Sequence, residues 1–146
     1  MPLLHDRPVR QSIETRLRAL RADVTPRWGK MAPDQMLWHV NRALAVAMGD
    51  VQVDSQRPPL PRPVMKFLVL KMPWPKNAPT NPAFVAKDRY DFEAERGRCL
   101  TLIEKFSQKP LDGVWQEHPF FGRMTGSELS QLQARHLDHH LTQFGV

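Results

Sequence analysis

The stretch Thr125–Gly145, TGSELSQLQARHLDHHLTQFG, decides how this chain is read. It opens on Thr-Gly-Ser-Glu, the pattern in which the first and fourth side chains close each other's free backbone N–H groups at a helix start. Behind that opening, Leu129, Leu132, Leu137, Leu141 and Phe144 recur at helical spacing. Taking Leu132 as zero and advancing about 100° per residue, the apolar side chains fill one arc, and His136 at about 40° and His140 at about 80° fall inside it. His139, at about −20°, stands at its margin. An imidazole facing an apolar interior without a partner carries a desolvation cost, so two of them one turn apart call for a shared partner. At i and i+4 their Cβ atoms stand about 5–6 Å apart, close enough for both rings to converge on one divalent ion.

Working outward, the pattern predicts three more long helices and one short one. Residues 10–22 place Ile13, Leu17 and Leu20 on one face with arginines between them. Pro33 suits a first helical turn, and Met36, Val40, Ala43, Leu44, Ala47 and Met48 carry a second helix to about Ala47, where Gly49-Asp50 supplies a stop. Eight of the fourteen prolines lie between Pro58 and Pro82, so regular structure there is brief: a short helix over 64–71, then an ordered surface loop, 72–82, carrying Trp74. From about Asp88 a further helix presents Phe92, Cys99, Ile103 and Phe106 as a stripe, and Pro110 and Gly113 close it. With no convincing strand, the expected architecture is all-α: an up-down four-helix bundle with a short extra helix and a proline-rich loop.

The chain's 146 residues suit one domain spanning 1–146 with a core that needs no structural metal. A single cysteine, Cys99, excludes an intrachain disulfide and any multi-cysteine metal site, which fits a cytoplasmic protein; in the apolar stripe it reads as a small buried residue. No apolar run approaches a membrane span and no signal-like apolar region follows the first residues, so no membrane partner is expected. Of the net charge of +6, residues 1–30 hold seven basic and three acidic side chains. Without an RNP-like aromatic motif, a Gly-rich phosphate loop or a longer like-charge run, a solvated basic face is preferred to nucleic-acid binding.

A useful metal site needs a third ligand. His39, on the second helix between Val46 and Ala43 on the wheel, borders the apolar face and is the candidate; periodicity alone reads it equally as a boundary histidine bonded to a backbone carbonyl. Gln143, His118 and His139 are candidates for residues just outside the ligands or at a pocket mouth, and His5 reads as a non-ligand.

At these residues the sequence resembles a known family. A histidine in the second helix with a His-x-x-x-His pair in the last is similar to the DinB-like superfamily of metal-binding four-helix proteins. Trp28-Gly29-Lys30-Met31, Gln35-Met36-Leu37-Trp38-His39, Pro73-Trp74-Pro75-Lys76, His118-Pro119-Phe120-Phe121-Gly122 and the motif from His136 to Gly145 resemble a branch of small uncharacterised bacterial proteins. The resemblance implies an up-down bundle with a divalent metal, zinc or nickel, held by His39, His136 and His140. Characterised members of the superfamily include thiol-dependent transferases and isomerases that use a low-molecular-weight thiol, and related bundles occur as homodimers or monomers. Where such members carry an acidic residue after the histidine of the second helix, this chain has Asn41-Arg42, which removes a carboxylate base there.

Three functional readings follow. The first is a metal-dependent enzyme, a transferase or hydrolase acting on a small-molecule substrate, in which the ion lowers the pKa of a thiol or water. The second is a non-catalytic metal-binding or stress-response bundle. The third has no metal, and its histidines bond to one another and to Asn41 or Asp138.

Overall fold

Thr125 and Glu128 close on each other: the Thr125 hydroxyl accepts the Glu128 N–H at 3.1 Å and a Glu128 carboxylate oxygen accepts the Thr125 N–H at 3.0 Å. The helix started there is the last of five in the computed structural model, which describes residues 2–78 and 80–146; Met1, and Pro79 of the expected loop, lie outside them. In chain order these are α1 (Arg7–Ala19), α2 (Pro33–Ala47), α3 (Arg62–Lys71), α4 (Phe92–Gln108) and α5 (Gly126–Gln143), with a single 3₁₀ turn, Pro82–Phe84, before α4. Among the described residues there is no strand, only an isolated bridge between His118 and Gly122.

The helix ends differ from the sequence reading where distant residues set them. The first helix, expected over 10–22, runs from Arg7 to Ala19. Pro8 is accommodated in its first turn, where a missing N–H leaves nothing unpaired. At the other end the Arg96 guanidinium donates to the carbonyls of Leu17, Arg18 and Leu20, the last at 2.7 Å, and so satisfies the acceptors that a longer helix would have used. The short helix starts at Arg62 rather than Val64, again with a proline in its first turn. α4 begins at Phe92 rather than near Asp88, because the Asp91 carboxylate accepts the Ala94 N–H and caps it.

α2 is the central element. It packs along α4 on one side and α5 on another, with the 3₁₀ turn against a third, while α1 spans α4 and α5. Accordingly α2 is buried almost all round, including Met36, Leu37, Val40, Leu44, Ala45 and Val46, whereas Ala43 and Met48 are half-buried. Ile13 and Leu17 of α1, Cys99, Ile103 and Phe106 of α4, and Leu129, Leu137 and Leu141 of α5 meet in one core cluster. α3 stands outside this group and packs, among the elements, against α5 alone.

Candidate metal centre

His39 of α2 meets His136 and His140 of α5 at the point where the two helices touch. The three ring centroids stand 4.7, 4.9 and 4.8 Å apart, and one ligand atom from each residue lies within 4.8 Å of the others. Both His39 and His140 are buried, and His136 is half-buried.

Hydrogen bonds fix which nitrogens are bare. The Nδ1–H of His39 donates to the Phe84 carbonyl at 2.7 Å. A carbonyl can only accept, so the neutral ring carries its proton on Nδ1 and turns an unprotonated Nε2 inward. The Gln143 amide donates from Nε2 to the Trp28 carbonyl at 2.8 Å, which orients its Oε1 toward Nδ1 of His140 at 2.7 Å. His140 must therefore hold its proton on Nδ1, and its Nε2 is free as well. Between His39 and His136 the two Nε2 atoms stand 2.8 Å apart. Two such nitrogens are joined either by a proton on one of them or by a cation that both face, and the donor set of three neutral imidazoles suits a borderline divalent ion.

The electrostatics keep the rings neutral. Burial pushes His39 below the usual imidazole range, against the raising effect of the Phe84 carbonyl. Burial, and then the charges that protonated His39 and His140 would carry, hold His136 well below it. His140 is pushed down to about 3, chiefly by burial and then by its proximity to His39. Neutral imidazole is the form that ligates.

Around the trio lies a shell of aromatic and cationic groups. His139 sits outside it, half-buried between Trp28 and Trp74 at 5.5 and 5.3 Å and lowered chiefly by burial. The Trp74 ring also stands 6.0 Å from His136, its Nε1 donates to the Val69 carbonyl at 2.8 Å, and the Arg135 guanidinium lies over it. Trp74, carried by the expected surface loop, thus lies against His136 and His139. Gly29 explains the Trp-Gly-Lys-Met motif: its φ is +80°, and a Cβ there would lie 2.8 Å from the Gln143 amide nitrogen.

His118 is a turn residue: its Nδ1 accepts the N–H groups of Phe120 and Phe121 at 3.1 Å each, and burial lowers it to about 4. It is not one of the three converging ligands. His5 is equally structural, held between the Ser130 hydroxyl at 2.8 Å and the Lys109 carbonyl at 2.7 Å. Asn41 and Asp138 are engaged elsewhere, with Glu95 and Arg16 respectively, so the histidines do not bond to them. What sequence reasoning missed is the Phe84 carbonyl. Its signal was Asn81-Pro82, since the Asn81 side chain accepts the Ala83 N–H and starts the 3₁₀ turn that aims Phe84 at His39.

Searches of curated proteins and of solved structures found no match to the chain. A family described as "Protein of unknown function (DUF1569)" matches residues 10–145, which carry the three histidines and every residue that orients them, and the chain belongs to that family.

Proposed function

We propose that the protein is a metal-dependent member of the DinB-like superfamily, an up-down four-helix bundle in which His39, His136 and His140 hold a divalent ion, zinc or nickel, for reaction with a small-molecule substrate. The observation that carries this reading is the orientation of the imidazoles: His39 and His140 both donate Nδ1–H outward, to Phe84 and Gln143, and so turn bare Nε2 atoms inward. When bound, such an ion supplies Lewis acidity that makes a thiol or a water a nucleophile near neutral pH, as a thiol-dependent transferase in the cytoplasm requires. The chain's own residues do the rest. Gln143 holds His140 in one tautomer, while Trp74 limits water at His136. No carboxylate stands at Asn41 to act as a base beside His39.

The closeness of the site favours a second reading. His39 and His140 are only 7% and 9% exposed, and Trp74 lies against His136, as suits a bundle that binds metal without turnover. One experiment orders these readings. Protein purified without an affinity tag is assayed for bound metal by plasma mass spectrometry, alongside His39→Ala and His136→Ala. Near-stoichiometric zinc or nickel in the wild type, lost in both variants, supports the site; transfer of a small thiol then separates enzyme from binder. Substoichiometric metal that reconstitution does not raise, and that neither substitution changes, overturns both.

A further inference from the structure

The face of α3 turned away from α5 is apolar. Leu60, Val64, Phe67, Leu68 and Met72 are all exposed, Phe67 most of all at 57%. Val64, Phe67 and Leu68 fall at i, i+3 and i+4 on one face of the helix, which exposed Lys71 shares, and Leu60 and Met72 flank its two ends. Among the described residues the other exposed large hydrophobic side chains are Val85 and Val114. Among the elements α3 packs against α5 alone, and the Arg62 side chain at its start meets the Gln56 carbonyl and Gly122.

The sequence on either side of this stripe is basic. Between Asp54 and Asp88 the sequence has no acidic residue and six basic ones: Arg57, Arg62, Lys66, Lys71, Lys76 and Lys87. The segment thus carries +6, beside the excess of four basic side chains in residues 1–30. Of the six, only Lys66 forms an ion pair among the described residues, with Glu128 at 3.2 Å.

A second copy of the chain would set this positive segment against itself with no carboxylate to answer it. A helical peptide would need a groove, and a lone helix offers none. An anionic bilayer supplies a negative surface for the lysines and arginines and an apolar layer for the stripe. We propose that α3 is a membrane-surface anchor, seating Leu60, Val64, Phe67, Leu68 and Met72 among the headgroups of an anionic phospholipid bilayer while the flanking basic residues hold its phosphates. The contact is peripheral, since no helix among the described residues is long and apolar enough to cross a membrane. The expectation of no membrane partner rested on the lack of a span, which a helix lying on the surface does not need. α3 runs directly into Pro73-Trp74-Pro75, so docking would set the loop that lays Trp74 against His136 at headgroup level.

The test is co-sedimentation of the full chain with vesicles of phosphatidylcholine alone and of phosphatidylcholine mixed with phosphatidylglycerol, at low and at physiological salt. Binding to the mixed vesicles only is expected, weakened by salt. Combined Phe67→Ser and Leu68→Ser should cut the vesicle partition coefficient about tenfold or more, and Lys71→Glu should weaken binding at low salt. Circular dichroism checks that the variants fold; should the double variant not fold, Val64→Ser on the same stripe replaces it. Absence of binding to mixed vesicles at low salt, or binding that the serine substitutions leave unchanged, overturns the proposal. So does a dimer in sedimentation equilibrium that the same substitutions dissociate, or retention by an acidic amphipathic peptide with no vesicle binding.

Discussion

Gln143 is the residue on which the orientation of the centre turns. One end of its amide is committed to the Trp28 carbonyl and the other to His140, so the tautomer of His140 is inherited from a loop more than a hundred residues earlier. Gln143→Ala removes the acceptor and frees the ring to rotate. The expected result is a folded protein whose divalent-metal affinity falls about 10–100-fold, measured by competition against a chromophoric chelator. Unchanged affinity would mean that this orientation is not used in holding metal. His136 and His140 were legible together because a helix repeats its face every few residues, and a wheel drawn from leucines alone turns both inward, whereas Gln143 was named only as a residue outside the ligands or at a pocket mouth. His39 was left open between ligand and boundary histidine bonded to a carbonyl. Its two nitrogens serve both descriptions, Nδ1 on the Phe84 carbonyl and Nε2 toward His136. The only sign of that carbonyl was the turn signal Asn81-Pro82, which marks a 3₁₀ turn but does not say which side chain the turn will face.

At the scale of elements, α5 is the helix with both a complete start signal and two inward histidines. Thr125→Ala deletes the acceptor for the Glu128 N–H. A loss of about 1 kcal/mol in unfolding free energy is expected, read from urea denaturation. A value near zero would show that the reciprocal Glu128 bond alone caps the helix. Local signals of this kind made the starts of α2 and α5 readable to within a residue or so. The end of α1 was not, because Arg96, on α4, takes the carbonyls there. An arginine on one helix gives no hint in the sequence that it will terminate another. The proline-rich region was read as brief structure, and α3 with its following loop and 3₁₀ turn is that, but the place of Trp74 against His136 and His139 depended on packing that no periodicity encodes.

For the molecule as a whole, neutral histidines make stability depend on pH in one direction. His140 is lowered to about 3 and His118 to about 4, each chiefly by burial, from an ordinary value of 6.5. The unfolded chain therefore takes up protons first as the solution is acidified. Stability should be complete above about pH 6.5 and fall steadily below it, toward pH 4 for His118 and toward pH 3 for His140. Asp34, held down chiefly by its hydrogen bonds from Arg89, adds to the loss only at the acid end of that window. Urea midpoints measured between pH 7.5 and 5, above the carboxylate range, isolate the histidines, and a flat profile there would contradict their burial as neutral rings.

The arrangement of Trp28 and Trp74 on either side of His139, with Lys76 and Arg135 lying over their outer faces, gives the molecule an optical signal of its own. Any opening of this arrangement must separate these indoles from the imidazole and from the cations above them. The other two tryptophans are held away from this place, Trp38 stacked on Tyr90 and Trp115 against Phe106. Emission from the first pair thus reports the state of this arrangement, and emission from the second reports whether the protein is folded at all.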